Sequence, residues 1–275
     1  MVRVVRFHQH GGPEVLRIEN IDVPPPGPGE VQIRVRALGL NRAEVLLRSG
    51  SYIETPTLPS GLGLEAAGIV EAVGAGVDSF APGDAVSVVP PLSMVRWPAY
   101  GELASFPAEL VVQHPRSLSF EAAAAVWMPT VTAYGALIEI ATLRREDFVV
   151  ITAASSSVGL AAIQIANQIG ATAIAVTRTS RKRRALFGFG AAHVIASAEE
   201  NLEARLKEIA GPAGVRVVFD AVGGSDLWAS DGGDVDRWHP HRVWRPEFGA
   251  DTFSAVQCAE QATNAARLPH ARDRR

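Results

Sequence analysis

Apolar and polar residues alternate along the first part of the chain and give way to longer apolar stripes after Phe120. Val31, Ile33 and Val35 alternate with Gln32, Arg34 and Arg36, the period-two pattern of a half-buried strand, after the turn-rich stretch 24–29. Residues 68–74 and 85–89 predict two more strands, the second following the turn residues Pro82, Gly83 and Asp84. Helical patterning starts at 121–126 and resumes over 131–140. Residues 148–152 form a short apolar run behind the charged stretch 144–147. A helix over 158–169 should stop at Gly170, a residue suited to the left-handed position past a helix end. Strand 173–177, helix 181–187, strand 194–195, helix 198–209 and strand 215–219 follow. That alternation predicts an α/β doubly wound parallel sheet behind a β-rich domain, with the boundary between Pro115 and Val126. The expected domains are 1–120 and 121–227.

The pattern breaks after Leu227. Residues 228–275 contain no Ile and one Leu, yet hold three of the five Trp and seven Arg. A doubly wound sheet needs another buried, β-branched strand soon after 219–224, and 238–247 cannot supply it, because Pro240 and Pro246 each remove a ladder donor. Shifting the reading frame by one base turns the codons of Trp238 and Trp244 into glycine codons whatever base follows. The codons between them permit Thr-Leu-Ile-Val-Tyr, a buried strand bracketed by glycines. The expectation is a one-base insertion or deletion near Trp228, leaving 228–275 as an out-of-frame, disordered tail. The alternative is a genuine divergent tail, disordered or folding on a partner.

Composition narrows the function classes. At 47% apolar and 20% charged residues the chain reads as a soluble globular protein, and a net charge of −3 gives no footprint for nucleic acid or a membrane surface. Its only cysteine, Cys258, lies in the tail, which excludes an internal disulfide and a cysteine-built zinc site. The N-terminus lacks the apolar stretch of a signal peptide, and no apolar run is long enough to span a bilayer, so a cytoplasmic location is expected.

Two segments carry candidate chemistry. Ala153, Ala154, Ser155, Ser156, Ser157, Val158 and Gly159 lie between the first strand and first helix of the α/β unit. A dinucleotide pyrophosphate needs a tight turn, close backbone approach and free amides there, and small serines with Gly159 can provide them. Many strand–helix turns are Ser/Gly-rich, so the context rather than the motif favours a cofactor. At the end of the next strand, where NAD-selective sites carry an acid for the ribose 2′-hydroxyl, the chain has Thr177, Arg178, Thr179, Ser180, Arg181 and Lys182. Hydroxyls with Arg178 and Lys182 suit a 2′-phosphate, which points to NADPH. The plainer reading is a solvated basic helix start.

An ordered set of blocks gives the family. Residues 39–44, 48–52, 68–74 and 83–86, then 128–135, the serine-rich loop and 219–224, together resemble the zinc-independent quinone-reductase (zeta-crystallin-like) branch of the medium-chain dehydrogenase/reductase superfamily, from Met1 to about Leu227. The resemblance implies a GroES-like N-terminal domain, a Rossmann domain left incomplete here, and a homodimer whose edge belongs to the segment the tail fails to supply. It places Asn41 and Thr130 beside the nicotinamide, Tyr52 at the cleft as pocket wall or proton donor, and Ala221 and Val222 against the cofactor. The zinc ligands of related alcohol dehydrogenases are replaced by Asn41 and Leu64, so no metal is expected. The implied reaction is hydride transfer from NADPH to a quinone or enone. The alternatives are a non-enzymatic remnant, or an NADPH-binding protein without turnover.

Overall fold

The computed structural model describes residues 1–221 and the backbone of 251–254. The chain divides into two compact units, Met1–Met128 and Pro129 onward. The sequence reading placed this change at residue 120.

In the first unit, β1 (Val2–Phe7) and β2 (Leu16–Ile21) pair antiparallel in a sheet of their own. A five-stranded antiparallel sheet follows, built from β3 (Glu30–Gly39), β4 (Glu65–Val73), β5 (Ala85–Val88), β6 (Leu103–Pro107) and β7 (Val111–Gln113), in the order β6-β3-β4-β5-β7. The alternation read in 31–36 is its pleat: Val31 and Ile33 are fully buried with Val70, Val86 and Phe106 in one core. Gly68 is needed on β4 because a Cβ there would lie 2.2 Å from the Arg34 carbonyl oxygen on β3.

Helix α1 (Arg42–Ser49) sits inside a region that reads as β. Only eight residues long, it is too short to display an apolar period, and its ends are set locally. Asn41 and Glu44 form a capping box, and Gly50 closes the helix at φ 77°. Helix α2 (Phe120–Ala125) packs on β3, β4 and β5, which is why it belongs to the first unit. Helix α3 (Trp127–Tyr134) follows and ends in a π turn, Gly135–Ile140.

Taken together, Phe120–Ile140 is long and apolar enough to cross a membrane by length and composition, where the sequence reading expected no such run. The interrupting π turn and the short α2 hid its length. Part of that apolar character is packing: Ala123 and Ala124 are buried against Ala67, and Ala133, Ala136 and Leu137 against the core of the second unit, while Val126, Val131 and Tyr134 are exposed.

In the second unit, β8 (Phe148–Ile151), α4 (Ser157–Ile169), β9 (Thr172–Thr177), α5 (Arg183–Gly188), β10 (His193–Ala196), α6 (Leu202–Ala210) and β11 (Val217–Asp220) alternate as expected. With β12 (Asp251–Ser254) they make a sheet of order β10-β9-β8-β11-β12 in which every pair is parallel. The α/β class, a β-rich domain followed by a doubly wound Rossmann sheet, therefore stands as expected. Gly170 ends α4 at φ 86°.

Two details differ from the sequence reading. Helix α6 begins at Leu202 rather than 198, because the Asn201 side chain accepts from the Ala204 amide at 2.9 Å and caps it. Glu199 and Glu200 are thereby left in the preceding turn. Secondly, no strand was expected in 228–275, yet Asp251–Ser254 pairs along the whole of β11. Thr252 and Phe253 are β-formers, and the edge of β11 offers unpaired ladder groups. The rest of 222–275, including the 238–247 segment, lies outside the described residues.

Candidate active site

The order β10-β9-β8-β11 reverses direction between β8 and β11, and ligands of such sheets sit outside the strand ends at that switch point. Thr152 and Asp220 close it. The Thr152 hydroxyl donates to Asp220 Oδ1 at 2.5 Å and accepts from the Ala221 amide at 3.1 Å, while the Thr152 amide donates to the Phe219 carbonyl at 3.0 Å. Ala221 is thus held at the mouth of the switch point. Val222 lies outside the described residues.

The serine loop sits directly above. Ala153 adopts φ 42°, a left-handed conformation that favours glycine, and the turn is held by Ser156 N donating to Ala153 O at 2.7 Å and Ala154 N to Val176 O at 3.2 Å. Ser156 is the N-cap of α4, its hydroxyl accepting from the Gly159 amide at 3.1 Å. Ser157 and Val158 open the helix. Gly159 allows α4 to touch the strand end: a Cβ there would lie 2.7 Å from Ala154 Cα and 2.8 Å from the Ala153 carbonyl oxygen. This is the close helix–strand packing that the last glycine of a dinucleotide fingerprint provides. The three serines therefore differ in task. Ser156 caps, Ser157 starts the helix, and Ser155 accepts a hydrogen bond from Lys182 Nζ at 2.8 Å.

That contact joins the loop after β8 to the segment after β9. Thr177 ends β9, and Arg178, Thr179 and Ser180 lead into the 3-10 turn Ser180–Lys182. The segment is stitched to residues after β10: Ser197 N donates to Thr177 O at 2.9 Å and Ala198 N to Arg178 O at 3.0 Å. Next in line, Ser180 N donates to the Glu199 carboxylate at 3.0 Å. The sequence reading found no carboxylate at the end of the second strand. The fold delivers one from beyond the third.

In the first unit a second cluster gathers around Asn41. Its backbone amide donates to Glu44 at 2.6 Å and its Nδ2 to Glu65 at 2.8 Å. Glu44 also accepts from Leu64 N at 3.2 Å, and Glu65 from Met128 N at 2.7 Å. Both carboxyls are buried, and burial pushes Glu44 up to about 7 and Glu65 upward too. The two Glu65 oxygens accept one donor each, Oε2 from Asn41 Nδ2 and Oε1 from the Met128 amide. Tyr52 packs against the apolar cluster that holds Leu47, Leu64 and Met94, and burial, followed by the charges of Glu54 and Glu44, raises its phenol. Thr130 is half-buried on α3 of the second unit. Glu44, Glu65 and Glu199 were not singled out from the sequence. The Asn-x-x-Glu spacing of a capping box signalled the first, and an acid opening the apolar run of β4 the second.

Comparison with known proteins decides the family. An alcohol dehydrogenase GroES-like domain profile matches residues 27–150, and a zinc-binding dehydrogenase profile matches 157–231. Quinone oxidoreductase 1 of Escherichia coli K12 is 39% identical over 228 residues, 83% of this chain and 68% of that protein. The chain belongs to the quinone oxidoreductase family. This is an oxidoreductase family of the medium-chain dehydrogenase/reductase superfamily, as the sequence blocks indicated. An E. coli quinone oxidoreductase solved with NADPH superposes at a TM-score of 0.74, with 37% identity over 82% of this chain and 68% of that one. A mycobacterial protein solved with NADPH reaches 0.77 at 27% identity, covering 95% of this chain and 87% of that one.

One profile of the quinone oxidoreductase chain carries zinc in its description, and the residues at the expected ligand positions do not fit that metal. The Asn41 amide is committed to Glu65, and Leu64 is buried in an apolar cluster. Neither offers zinc a lone pair of the right kind.

Proposed function

We propose that this quinone oxidoreductase-family chain reduces quinones and α,β-unsaturated carbonyls with NADPH, without zinc. The observation that carries the reading is Lys182 Nζ, 2.8 Å from Ser155 Oγ. It sets a cation where the phosphate loop after β8 meets the ribose-side segment after β9. Ser155, Ser156, Ser157, Val158 and Gly159 would hold the pyrophosphate, and Thr177, Arg178, Thr179, Ser180 and Lys182 the adenosine ribose and its 2′-phosphate. Ala221 and Val222 would line the cofactor beyond the switch point. Bound NADPH supplies the hydride.

Positioning and polarity are left to the protein. The resemblance assigns Asn41 and Thr130 to the nicotinamide side. Asn41 suits the part because Glu44 and Glu65 fix its amide. Tyr52 is the candidate proton donor by the resemblance; its phenol, raised further by burial, carries its proton at neutral pH. A cytoplasmic enzyme acting on a small molecule, with no nucleic-acid or membrane partner, completes the reading; the homodimer of the family is not carried over, because its edge belongs to the segment the tail fails to supply.

The test is a fluorescence titration with NADPH and NADH, followed by quinone-dependent NADPH oxidation. Tighter binding of NADPH together with turnover supports the proposal, and equal affinities would sink its cofactor assignment. Binding without turnover would mark an NADPH-binding protein, and no binding a non-enzymatic remnant.

A further inference from the structure

The residues after β10 bring a carboxylate to the cofactor's ribose side from an unexpected strand. Parallel pairing of β9 with β10 continues past the strand ends, through Thr177 O with Ser197 N and Arg178 O with Ala198 N, and so fixes where residue 199 falls. Its side chain caps the Ser180 amide at 3.0 Å. The Ser180 amide and hydroxyl, together with Arg183, favour the charged form of Glu199. Arg183 is itself bonded to Glu200, which also pairs with Arg205 at 3.2 Å. Ser180 N–H is one of the donors a 2′-phosphate would take in this segment, and Lys182 lies two residues on.

We propose that Glu199 is a specificity-determining residue that limits the preference for the phosphorylated cofactor: a 2′-phosphate must displace its carboxylate from the Ser180 amide, whereas a free 2′-hydroxyl can donate to it. The proposal rests on the reductase reading for the presence of a nicotinamide dinucleotide. It supplies the acid that dinucleotide sites place at the second strand, from a different point in the chain.

Glu199→Gln removes the charge and retains an acceptor for Ser180, and Glu199→Ala removes both. With the full chain titrated at low salt, NADPH affinity should rise about tenfold in the Gln variant, the size expected for removing a unit charge beside a phosphate near a solvated surface. NADH affinity should stay equal or weaken, and the difference from wild type should shrink as salt is raised. The Ala variant should show the same rise, since the amide becomes free for phosphate. An NADPH-to-NADH affinity ratio within twofold of wild type in both variants overturns the role of Glu199 while leaving the reductase reading intact. Wild type binding neither cofactor overturns both.

Discussion

Thr152 Oγ1 donates to Asp220 Oδ1 at 2.5 Å, joining the carboxyl ends of β8 and β11 across the point where the strand order reverses. The same oxygen accepts from the Ala221 amide, so one hydroxyl orders both lips of the crevice. Thr152→Val keeps the shape and removes both bonds, leaving the Ala221 amide without that acceptor beside a buried carboxylate. The expected cost is about 1–3 kcal/mol, read as a lower denaturation midpoint, together with weaker cofactor binding. An unchanged midpoint would show that the bonds contribute nothing net.

Gly159 meets backbone. A methyl group there would need the Ala153–Ala154 peptide to move, since its nearest neighbours at 2.7 and 2.8 Å are main-chain atoms. Gly159→Ala should separate α4 from the strand end, cost about 2 kcal/mol or more despite the better helix propensity of alanine, and weaken NADPH binding at least tenfold. Gly188→Ala is the control, because beyond its own helix no atom of the described residues lies within 4 Å of a Cβ there. Thermal melts and a nucleotide titration of the pair check it.

Glu44 gives stability a pH dependence with a definite sign. Its carboxyl is held near 7 in the folded chain against an ordinary 4.5, so the folded state keeps the proton longer than the unfolded one. The resulting stabilisation is complete below about pH 4.5 and is lost as the pH rises through 7. Glu44→Gln should therefore flatten stability between pH 5 and pH 8, removing a decline of about 1–3 kcal/mol. Urea denaturation at the two pH values measures this, and an equal decline in the variant would exclude Glu44 as its source.

Tyr52 is tested by deleting its hydroxyl. Tyr52→Phe preserves the packing against the apolar cluster around Leu47 and Met94. Loss of about 100-fold or more in kcat with unchanged NADPH affinity identifies a proton donor, and a loss below about tenfold leaves Tyr52 as a wall of the pocket.

Much of this protein is legible in the sequence because its strands are buried by simple rules. Period-two alternation at Val31 and Ile33 and the continuous runs of β8 and β9 mark half-buried and fully buried strands, and Gly170 marks a helix end. The serine loop reads from residue type, since small side chains between a strand and a helix are what close backbone approach requires. Helix α1 did not read, because its ends are set by a capping box and a glycine rather than by periodicity. Nor did the strand Asp251–Ser254, whose pairing on β11 is a property of the sheet edge.

The sequence by itself determined the α/β class, the order of the two domains, the serine-built loop and the basic segment after the second strand, all of which depend on residues close in the chain. Tertiary structure alone decided which of those residues meet. Lys182 reaches Ser155 across 27 positions, Asn41 reaches Glu65 across 24, and Glu199 reaches Ser180 across 19. Parallel-strand register and antiparallel pairing set these encounters, and no local pattern encodes a register between strands that the chain visits one helix apart.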